Sequence, residues 1–473
     1  MVSREMERIH EFHLASFHRD IAQEAQLLRK SSKQIILSTK RPLLNQVSED
    51  ALGELNSHTL EACMNVLLTS SDHCSIQNAL DTIHDMSSLS TKQYSELDRT
   101  KLINSIKHMF NISNTGLSID SIVILCNITS YSSASCDKVR EYGIIPSALK
   151  QLEYKNNDGL AYSIFHLMGN MSGDSQQNME YILSNNVEAI IGKYIAKEGI
   201  DFNVFENIMF LIKNILIWNY PKECNPALII DLTEVLFLLD NEQVTDLSLS
   251  AIQRLLYTKM ETKFNNQILS KMLSLISCSL QSTATMAIQF VENFCALGER
   301  ESKRIVQLDG LKLLINALTV TTKDKVKGDL CKIIGSIASE KVCIKDVVES
   351  GVLNIVLNIA IYGEHYSKKE ALYAYTNGCL IDGNNMENDI CKHEFVFILV
   401  TTLNMENEID LLMRLLMVVT KMERIHCLEF LNTFSSQGGI KALEKLLNSK
   451  TPEIYSNSKS ILDNIIKNSV NNE

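Results

Sequence analysis

The stretch HLMGNMSGDS, residues 166–175, places an asparagine and an aspartate four residues apart in a segment that otherwise predicts a helix. Residues at this spacing share one helix face. The amide of Asn170 donates and accepts hydrogen bonds, and the carboxylate of Asp174 attracts a cation. Gly169 and Gly173 each weaken a helix by about 0.5–1 kcal/mol relative to alanine. A weakened helix that carries this polar pair indicates a binding face.

Asparagine recurs along the chain in similar apolar contexts. The intervals are 43, 44, 79, 43 and 41 residues, and the stretches centre on Asn127, Asn170, Asn214, Asn293, Ser336 and Asn377. The interval of 79 residues is close to two periods, and its middle lies near Arg254. A period of about 40–44 residues is typical of armadillo or HEAT repeats.

One asparagine per repeat can hold the backbone of an extended peptide without reading its sequence, because each amide both donates and accepts. The residue four positions earlier lies on the same helix face. Aromatic residues at that position, such as Phe210 and Tyr373, can flank the stem of a long cationic side chain. We therefore expect this face to bind a lysine- or arginine-rich peptide, with nearby acids taking its charge.

Each of these residues also has an ordinary structural interpretation. The Asn-Met-Ser-Gly-Asp-Ser sequence suits a helix end and a turn. A lone histidine such as His166 is more often structural, and aromatic residues at helical spacing are more often part of a core. The recurrence of asparagine at one period favours the binding interpretation.

The elements that must position these side chains are helices. After each asparagine segment come a polar break, a short helix, a glycine and an apolar helix with apolar spacings of 3, 4 and 7. The glycines fit tight turns with positive φ, and they are Gly143, Gly310, Gly351 and Gly439. One unit cannot bury its apolar face alone, but stacked units can. The sequence predicts an all-α solenoid of armadillo or HEAT repeats.

Composition agrees with a large helical protein. The 473 residues are 45% hydrophobic and include only 5 prolines and 18 glycines. The 12 cysteines are scattered without zinc-ligand spacing, so we expect free thiols in a reducing compartment and no metal or cofactor. No apolar run reaches the roughly 18 residues of a membrane span, and the charged N-terminus is unlike a signal peptide. We expect a cytosolic or nuclear protein without a membrane partner.

Charge is distributed unevenly along the chain, whose net charge is −11. Residues 26–41 contain five basic and no acidic side chains, and the basic residues are Arg29, Lys30, Lys33, Lys40 and Arg41. The acidic remainder favours cationic partners, whereas a nucleic-acid binder would carry basic charge on its body. We divide the chain into a basic arm (1–44), a linker and start of the solenoid (45–74), repeats (75–467) and a tail (468–473).

Three pieces of the sequence resemble importin-α, the adaptor family of nuclear import. HLMGNMSGDS is similar to the family line W-A-L-G-N-I-A-G-D-S and keeps Gly169, Asn170, Gly173, Asp174 and Ser175. LRKSSKQIILSTKRPL resembles the importin-β-binding segment, and IKALEKLLNSKTPEIYSNSKSILDNI resembles the C-terminal capping repeat. These pieces occur in the family's order, and the resemblance covers nearly the whole chain.

The resemblance implies an all-α, right-handed superhelical solenoid of about ten armadillo repeats with an N-terminal basic arm. It implies a nuclear-import adaptor that binds basic nuclear-localisation peptides in the concave groove of this solenoid. It implies a larger peptide site at Val123, Asn127, His166, Asn170, Asp174, Phe210 and Asn214. It implies a smaller site at Gln289, Asn293, Glu299, Glu370, Tyr373 and Asn377. The basic arm residues named above would bind importin-β and compete with cargo when free. An export receptor at the C-terminal repeats and shuttling between cytoplasm and nucleus are also implied, with no nucleic acid, membrane or cofactor.

The chain departs from the family at the groove tryptophans. Their places hold Val123, His166 and Phe210 in the larger site, and Lys332 and Tyr373 in the smaller site. A cation at Lys332 opposes a basic peptide, and Ser336 replaces one asparagine. The single tryptophan, Trp218, lies four residues after Asn214, where the resemblance assigns no role.

Other classes of function remain to be weighed. The sequence contains no GxSxG, P-loop or HExxH motif and its histidines share no spacing, so we expect no enzyme. A general armadillo scaffold or peptide-binding chaperone is the main alternative, and it would lack the basic arm and the Gly-Asp-Ser line. A HEAT-like regulatory subunit is a weaker alternative, which would lack the row of asparagines.

Overall fold

The computed structural model describes residues 49–89, 96–111, 114–155, 157–196, 201–218, 226–238, 242–257, 264–381, 386–406, 408–425 and 427–470. These residues form helices joined by turns and contain no strand, so the prediction of an all-α fold is confirmed. The chain divides into two compact units, unit 1 (Met1–Thr262) and unit 2 (Lys263–Glu473).

Unit 1 contains twelve helices within its described residues. They are α1 (Glu49–Thr69), α2 (His73–Leu89), α3 (Glu96–Lys107), α4 (Thr115–Thr129), α5 (Ser133–Glu141), α6 (Ile144–Lys155), α7 (Asp158–Asp174), α8 (Gln176–Leu183), α9 (Val187–Ile195), α10 (Phe202–Ile215), α11 (Pro226–Leu238) and α12 (Glu242–Tyr257). A 3₁₀ turn, His108–Asn111, follows α3.

Unit 2 repeats the same order of short and long helices. They are α13 (Asn266–Leu275), α14 (Gln281–Cys295), α15 (Glu299–Gln307), α16 (Gly310–Val320), α17 (Asp324–Ala338), α18 (Ile344–Glu349), α19 (Val352–Tyr362), α20 (His365–Leu380), α21 (Glu387–Ile390), α22 (His393–Met405), α23 (Ile409–Arg424), α24 (Leu428–Ser436), α25 (Gly439–Leu446) and α26 (Pro452–Val470).

Ten of the longer helices, among them those that carry the recurring asparagines, pack side by side within each unit. In unit 1, α2, α4, α7, α10 and α12 each contact the next member of this series. In unit 2, α14, α17, α20, α23 and α26 do the same. We call these ten the row helices. The row helix α12 covers the position near Arg254 that the doubled interval predicts.

Local sequence fixes where three of the row helices begin. Asn114 caps α4 by accepting a hydrogen bond from the backbone N–H of Gly116 at 2.9 Å. Asn157 caps α7 through the N–H of Leu160 at 2.9 Å. Asp201 caps α10 in the same way. Each cap satisfies an N–H group that the helix leaves unpaired, and it stabilises the helix start by about 1 kcal/mol.

The turns between the shorter helices agree only in part with the glycine prediction. Gly143 and Gly351 have the expected left-handed backbone, with φ of 64° and 73°. The prediction is wrong for Gly310, where the left-handed residue is the preceding Asp309 (φ 58°). It is also wrong for Gly439, whose neighbour Gly438 has φ of 89°.

Gly310 and Gly439 have a different physical role, which is close packing. A Cβ on Gly310 would lie 2.5 Å from the backbone oxygen of Ile305. A Cβ on Gly439 would lie 2.5 Å from Cδ1 of Phe434. These two glycines begin helices α16 and α25, which approach the preceding short helix too closely for a side chain.

Helix α1 lies within the segment predicted as the linker and start of the solenoid (45–74). It occupies Glu49–Thr69 and packs against α2, which begins at His73, close to the predicted start of the repeats at 75. At the other end, α26 occupies Pro452–Val470, and the predicted repeats end at 467. The basic arm at 1–44 lies outside the described residues.

Candidate peptide-binding site

The two glycines of HLMGNMSGDS allow α10 to approach α7. A Cβ on Gly169 would lie 2.6 Å from Cε1 of Phe210, a distance at which atoms overlap. A Cβ on Gly173 would lie 3.1 Å from Cγ of Asn214, which is tighter than an ordinary contact. The glycines therefore make room for the two residues of α10 that were predicted for the larger site.

The asparagines of α4, α7 and α10 join each helix to its predecessor. We call Asn127, Asn170 and Asn214 the unit 1 row. Nδ2 of Asn170 donates to the backbone oxygen of Cys126 at 3.1 Å, and Nδ2 of Asn214 donates to that of Gly169 at 2.9 Å. Nδ2 of Asn127 donates to Oγ of Ser87 on α2 at 3.0 Å.

These contacts use only part of each amide. The three side chains are half-exposed, and within the described residues no group donates to their Oδ1 atoms. An asparagine amide has two N–H donors and an oxygen with two acceptor positions. The contact with the preceding helix orients the amide and leaves an acceptor for another molecule.

The residues four positions before these asparagines form a neighbouring line. The ring centroids of His166 and Phe210 lie 5.6 Å apart, which brings α7 and α10 together at a second point. Tyr162, one helical turn before His166, lies 6.4 Å from it and is 40% exposed. Val123 on α4 is half-exposed and adds a smaller apolar side chain. The line is therefore partly aromatic, although it contains no tryptophan.

His166 is a neutral part of this line near pH 7. Burial lowers its pKa below the ordinary value of 6.5, and a hydrogen bond with Asn207 acts in the opposite direction. Neutral imidazole avoids the repulsion that imidazolium would exert on a basic peptide. It supplies a flat ring but less apolar surface than a tryptophan would.

Asp174 is the last residue of α7, and its carboxylate already accepts two hydrogen bonds. Its Oδ2 accepts from Oγ of Ser133 at 2.9 Å and from Nδ2 of Asn178 at 3.2 Å. Within the described residues, no side chain forms an ion pair with Asp174. The carboxylate is half-exposed, its Oδ2 links α7 to α5 and α8, and within the described residues no group donates to its Oδ1. The helix-end and binding interpretations are therefore compatible.

The corresponding positions of unit 2 are Asn293, Ser336 and Asn377, which we call the unit 2 row. Nδ2 of Asn377 donates to the backbone oxygen of Gly335 at 3.0 Å, as in unit 1. Oγ of Ser336 donates to the oxygen of Lys332 in its own helix at 3.1 Å, so Ser336 does not take over the asparagine contact. Asn293 is half-exposed and Gln289 is exposed, both on α14.

A cation of the chain itself contacts Tyr373 and Asn377 on α20. The guanidinium carbon of Arg414, on α23, lies 5.4 Å from the centre of the Tyr373 ring. The same guanidinium donates to Oδ1 of Asn377. The hydroxyl of Tyr373 donates to Glu408 at 3.1 Å, and Glu408 pairs with Lys369 at 2.5 Å.

A second cation, Lys332 on α17, lies among acids of two neighbouring row helices. Its Nζ is 5.4 Å from the ring centre of Tyr366, whose hydroxyl donates to Asp329 at 2.7 Å. Burial alone would lower the pKa of Lys332, but Tyr366 and the charges of Glu292 and Glu370 raise it overall. Lys332 therefore remains charged at neutral pH.

The two glutamates predicted for the smaller site have different surroundings. Glu370 is half-buried beside Lys332 and Lys369, and burial raises its pKa. Glu299 is exposed at the first residue of α15. Burial raises the pKa of Glu340, and the charge of Glu299 raises it further. Only Glu370 is thus near the cations that contact α20.

Sequence reasoning missed several residues that the structure places beside the two rows. Nε1 of Trp218, in the turn that follows α10, donates to the backbone oxygen of Ser172 on α7 at 2.6 Å. Nζ of Lys421 donates to the oxygens of Cys379 and Ile381 at 2.9 and 2.8 Å, which links α23 to α20. The spacing from Asn377 to Lys421 is 44 residues, so the period could have located Lys421.

The remaining expectations concern the basic arm, metal ions, membrane helices and the cysteines. The five arm residues predicted to bind importin-β lie outside the described residues. Within the described ranges, no cluster of histidine, cysteine and acidic side chains could hold a metal ion, and no helix is long and apolar enough to cross a membrane. The described cysteines are free thiols, and seven of these eleven are buried.

These features define a class of protein, namely an all-helical repeat protein whose long helices are joined by side-chain amides. No family model and no curated protein matches the sequence. A solved structure of an engineered protein is similar with a TM-score of 0.64 at 17% identity, over 86% of this chain and 99% of that chain. A structure from work on the phosphorylation switch that controls the interaction between cadherin and β-catenin is similar with a TM-score of 0.56 at 13% identity, over 90% of this chain and 99% of that chain. Both likenesses show the fold alone.

Proposed function

We propose that this protein is a nuclear-import adaptor of the importin-α type. A lysine- or arginine-rich nuclear-localisation peptide binds along the unit 1 row, and importin-β binds the N-terminal basic arm. The proposed architecture is a right-handed solenoid of about ten armadillo repeats, with the row helices lining its concave groove. The proposed location is the cytoplasm and the nucleus.

One observation carries this proposal. The amides of Asn127, Asn170 and Asn214 lie on three successive row helices, and each amide donates to the preceding row helix. An extended peptide presents a backbone N–H and C=O at regular intervals, so it can meet one amide per repeat. Asp174 supplies the negative charge beside this row, which favours a peptide with a cation at the matching position.

The arm gives the proposal its second partner. Its basic residues from Arg29 to Arg41 are followed by an acidic remainder of the chain. Charge of this kind speeds association with an acidic partner and makes the affinity depend on salt. When importin-β is absent, the same arm, which is covalently joined to the acidic remainder of the chain, competes with a basic peptide for the unit 1 row.

A direct test compares the full chain with a chain that lacks residues 1–44. Fluorescence anisotropy with a labelled lysine-rich peptide, and capture on immobilised importin-β, are measured for both proteins. We expect the truncated chain to lose importin-β and to retain or tighten peptide binding. Importin-β binding that survives the truncation would remove the arm from the proposal. Failure of both proteins to bind the peptide would remove the import function.

A second candidate is an armadillo-repeat scaffold or chaperone that is not dedicated to nuclear import. The observation that favours it is the line of Val123, His166 and Phe210, which gives a cationic stem less cover than tryptophans would. A scaffold of this class would bind partners without importin-β. The capture experiment with and without the arm therefore separates the two candidates.

A further inference from the structure

Two cations of unit 2 occupy the surroundings in which a basic peptide would place its own side chains. Arg414 lies beside the ring of Tyr373 and donates to Oδ1 of Asn377. Its guanidinium therefore contacts both the aromatic residue and the asparagine that follows it by four positions. Lys332 lies 5.4 Å from the ring centre of Tyr366. A lysine or arginine of a peptide would need the same faces and the same acceptor.

Acidic groups near Tyr373 and Lys332 already have cations of the chain beside them. Glu408 accepts from Tyr373 and pairs with Lys369 at 2.5 Å. The carboxylates of Glu292 and Glu370 act on Lys332 and help to keep it charged. A further cation entering this region would meet positive charge at close range, and that repulsion is strongest where the groups are half-buried.

The unit 1 row differs at this point. Within the described residues, no arginine or lysine donates to Asn127, Asn170 or Asn214, and Phe210 contacts His166 rather than a cation. The two rows therefore present the same asparagine contact to the preceding helix, but only the unit 2 row contains built-in cations.

We propose that Arg414 and Lys332 close the unit 2 row to basic peptides, so that each chain binds one peptide, at the unit 1 row. The inference rests on the function proposed above. It assigns Arg414 and Lys332 a role in specificity, because cations belonging to the chain are present at high effective concentration and exclude a peptide's cations. Removing the guanidinium frees Oδ1 of Asn377 and one face of Tyr373.

The test is peptide stoichiometry, measured by isothermal titration calorimetry of the full chain with a short lysine-rich peptide. Four proteins are compared: the original chain, Arg414→Gln, Lys332→Gln/Arg414→Gln, and Arg424→Gln as a control at an exposed position of the same helix. We expect one peptide per chain for the original and the control. We expect two per chain for the double variant, with the single variant showing two or a weaker second event.

A second measurement does not depend on how the Arg414 variants fold. Asp174→Lys weakens the unit 1 site, so we expect its peptide affinity to fall by at least ~10-fold, with no second site of higher affinity. A peptide bound by a folded Asp174→Lys chain with the affinity of the original chain, or two peptides on the original chain, would overturn the closure of the unit 2 row. A folded double variant that binds no additional peptide would overturn it as well.

The same experiment separates this inference from the proposed function. If the original chain binds no peptide but the double variant binds one, the closure stands and the unit 1 site fails. If the original chain binds one peptide and the double variant binds no more, the proposed function stands and the closure fails. If no protein binds, both are wrong.

Discussion

The ring of Phe210 occupies the space above Gly169. The backbone of α7 carries no side chain at this point, and a Cβ there would lie 2.6 Å from Cε1 of Phe210. One turn further along, Gly173 makes the same allowance for Asn214. Each of these two glycines destabilises α7 by about 0.5–1 kcal/mol relative to alanine. Their lack of a side chain allows α10 to pack closely against α7.

Gly169→Ala should therefore destabilise the protein, although alanine favours a helix. Overpacking of a filled site costs about 1–3 kcal/mol, which exceeds the gain in helix propensity. Gly192→Ala is the matched control, because it lies within α9 and its Cβ would meet no atom within 4 Å. We expect this control to stabilise by about 0.4–1 kcal/mol. Urea unfolding measures both, and a more stable Gly169→Ala protein would contradict the packing.

The hydrogen bond from Asn170 to Cys126 should contribute to stability as well as to binding. Asn170→Ala removes a half-buried hydrogen bond between α7 and α4, so we expect a loss of about 0.5–1.5 kcal/mol. The control is Asn316→Ala, an exposed asparagine on α16. Peptide affinity should fall for Asn170→Ala and should not change for the control Asn316→Ala. If affinity is unchanged while stability falls, Asn170 joins helices and does not bind the peptide.

Asp174 should bind a peptide cation through its charge. Asp174→Lys should weaken peptide binding by at least ~10-fold, or about 1.4 kcal/mol, because attraction becomes repulsion. Asp174→Asn retains an oxygen for Ser133 and Asn178 but loses the charge, so we expect a smaller loss of affinity with little change in melting temperature.

The control for Asp174→Lys is Glu153→Lys, which makes the same change of charge at an exposed position of α6. Fluorescence anisotropy gives the affinities, and a melting curve is recorded for each protein. An affinity that falls equally in both variants would mean that net charge, not Asp174, attracts the peptide. A collapsed melting transition in Asp174→Asn would make the residue structural.

His166 should make stability depend on pH. Its pKa in the folded state is lowered by burial, so the unfolded chain binds more protons near and below the ordinary value of 6.5. The free energy of unfolding should then decrease as pH falls below about 6.5, until the folded state is protonated too. His166→Gln should flatten this part of the profile, whereas His365→Gln, at an exposed position, should not.

The arm should lower the affinity of the full chain for a basic peptide. Deleting residues 1–44 removes a competitor held at high effective concentration, so peptide binding should tighten, and the difference should shrink as salt is added. Importin-β added to the full chain should produce the same tightening by withdrawing the arm. Equal affinities for the two chains at low salt would contradict autoinhibition.

The periodicity of the sequence was sufficient to predict a helical fold. Asparagine at intervals near 43 residues, with apolar residues at spacings of 3, 4 and 7, predicted helices that recur, and it located α12 from an interval of double length. The side-chain caps at Asn114, Asn157 and Asp201 act within the first turn of their own helices. Signals of this kind are local, because they depend on residues a few positions apart.

Contacts between repeats could not be obtained in the same way. The sequence showed the cation at Lys332 but not that Arg414, 37 residues after Asn377, donates to that asparagine. It proposed positive φ at Gly310 and Gly439, whereas the left-handed residues are Asp309 and Gly438. Two features depend on how neighbouring helices are rotated against each other. They are the turn residue that has positive φ and the side chain that bonds to the next helix.

The sequence by itself determined the helices, their period and the residue types on each row. Only the tertiary structure decided that Gly169 and Gly173 admit Phe210 and Asn214, and that Arg414 uses Asn377 while no described cation bonds to Asn170. The physical reason is that helix formation follows from neighbours along the chain. Which side chain meets which amide follows from the packing of helices that lie about 40 residues apart in sequence.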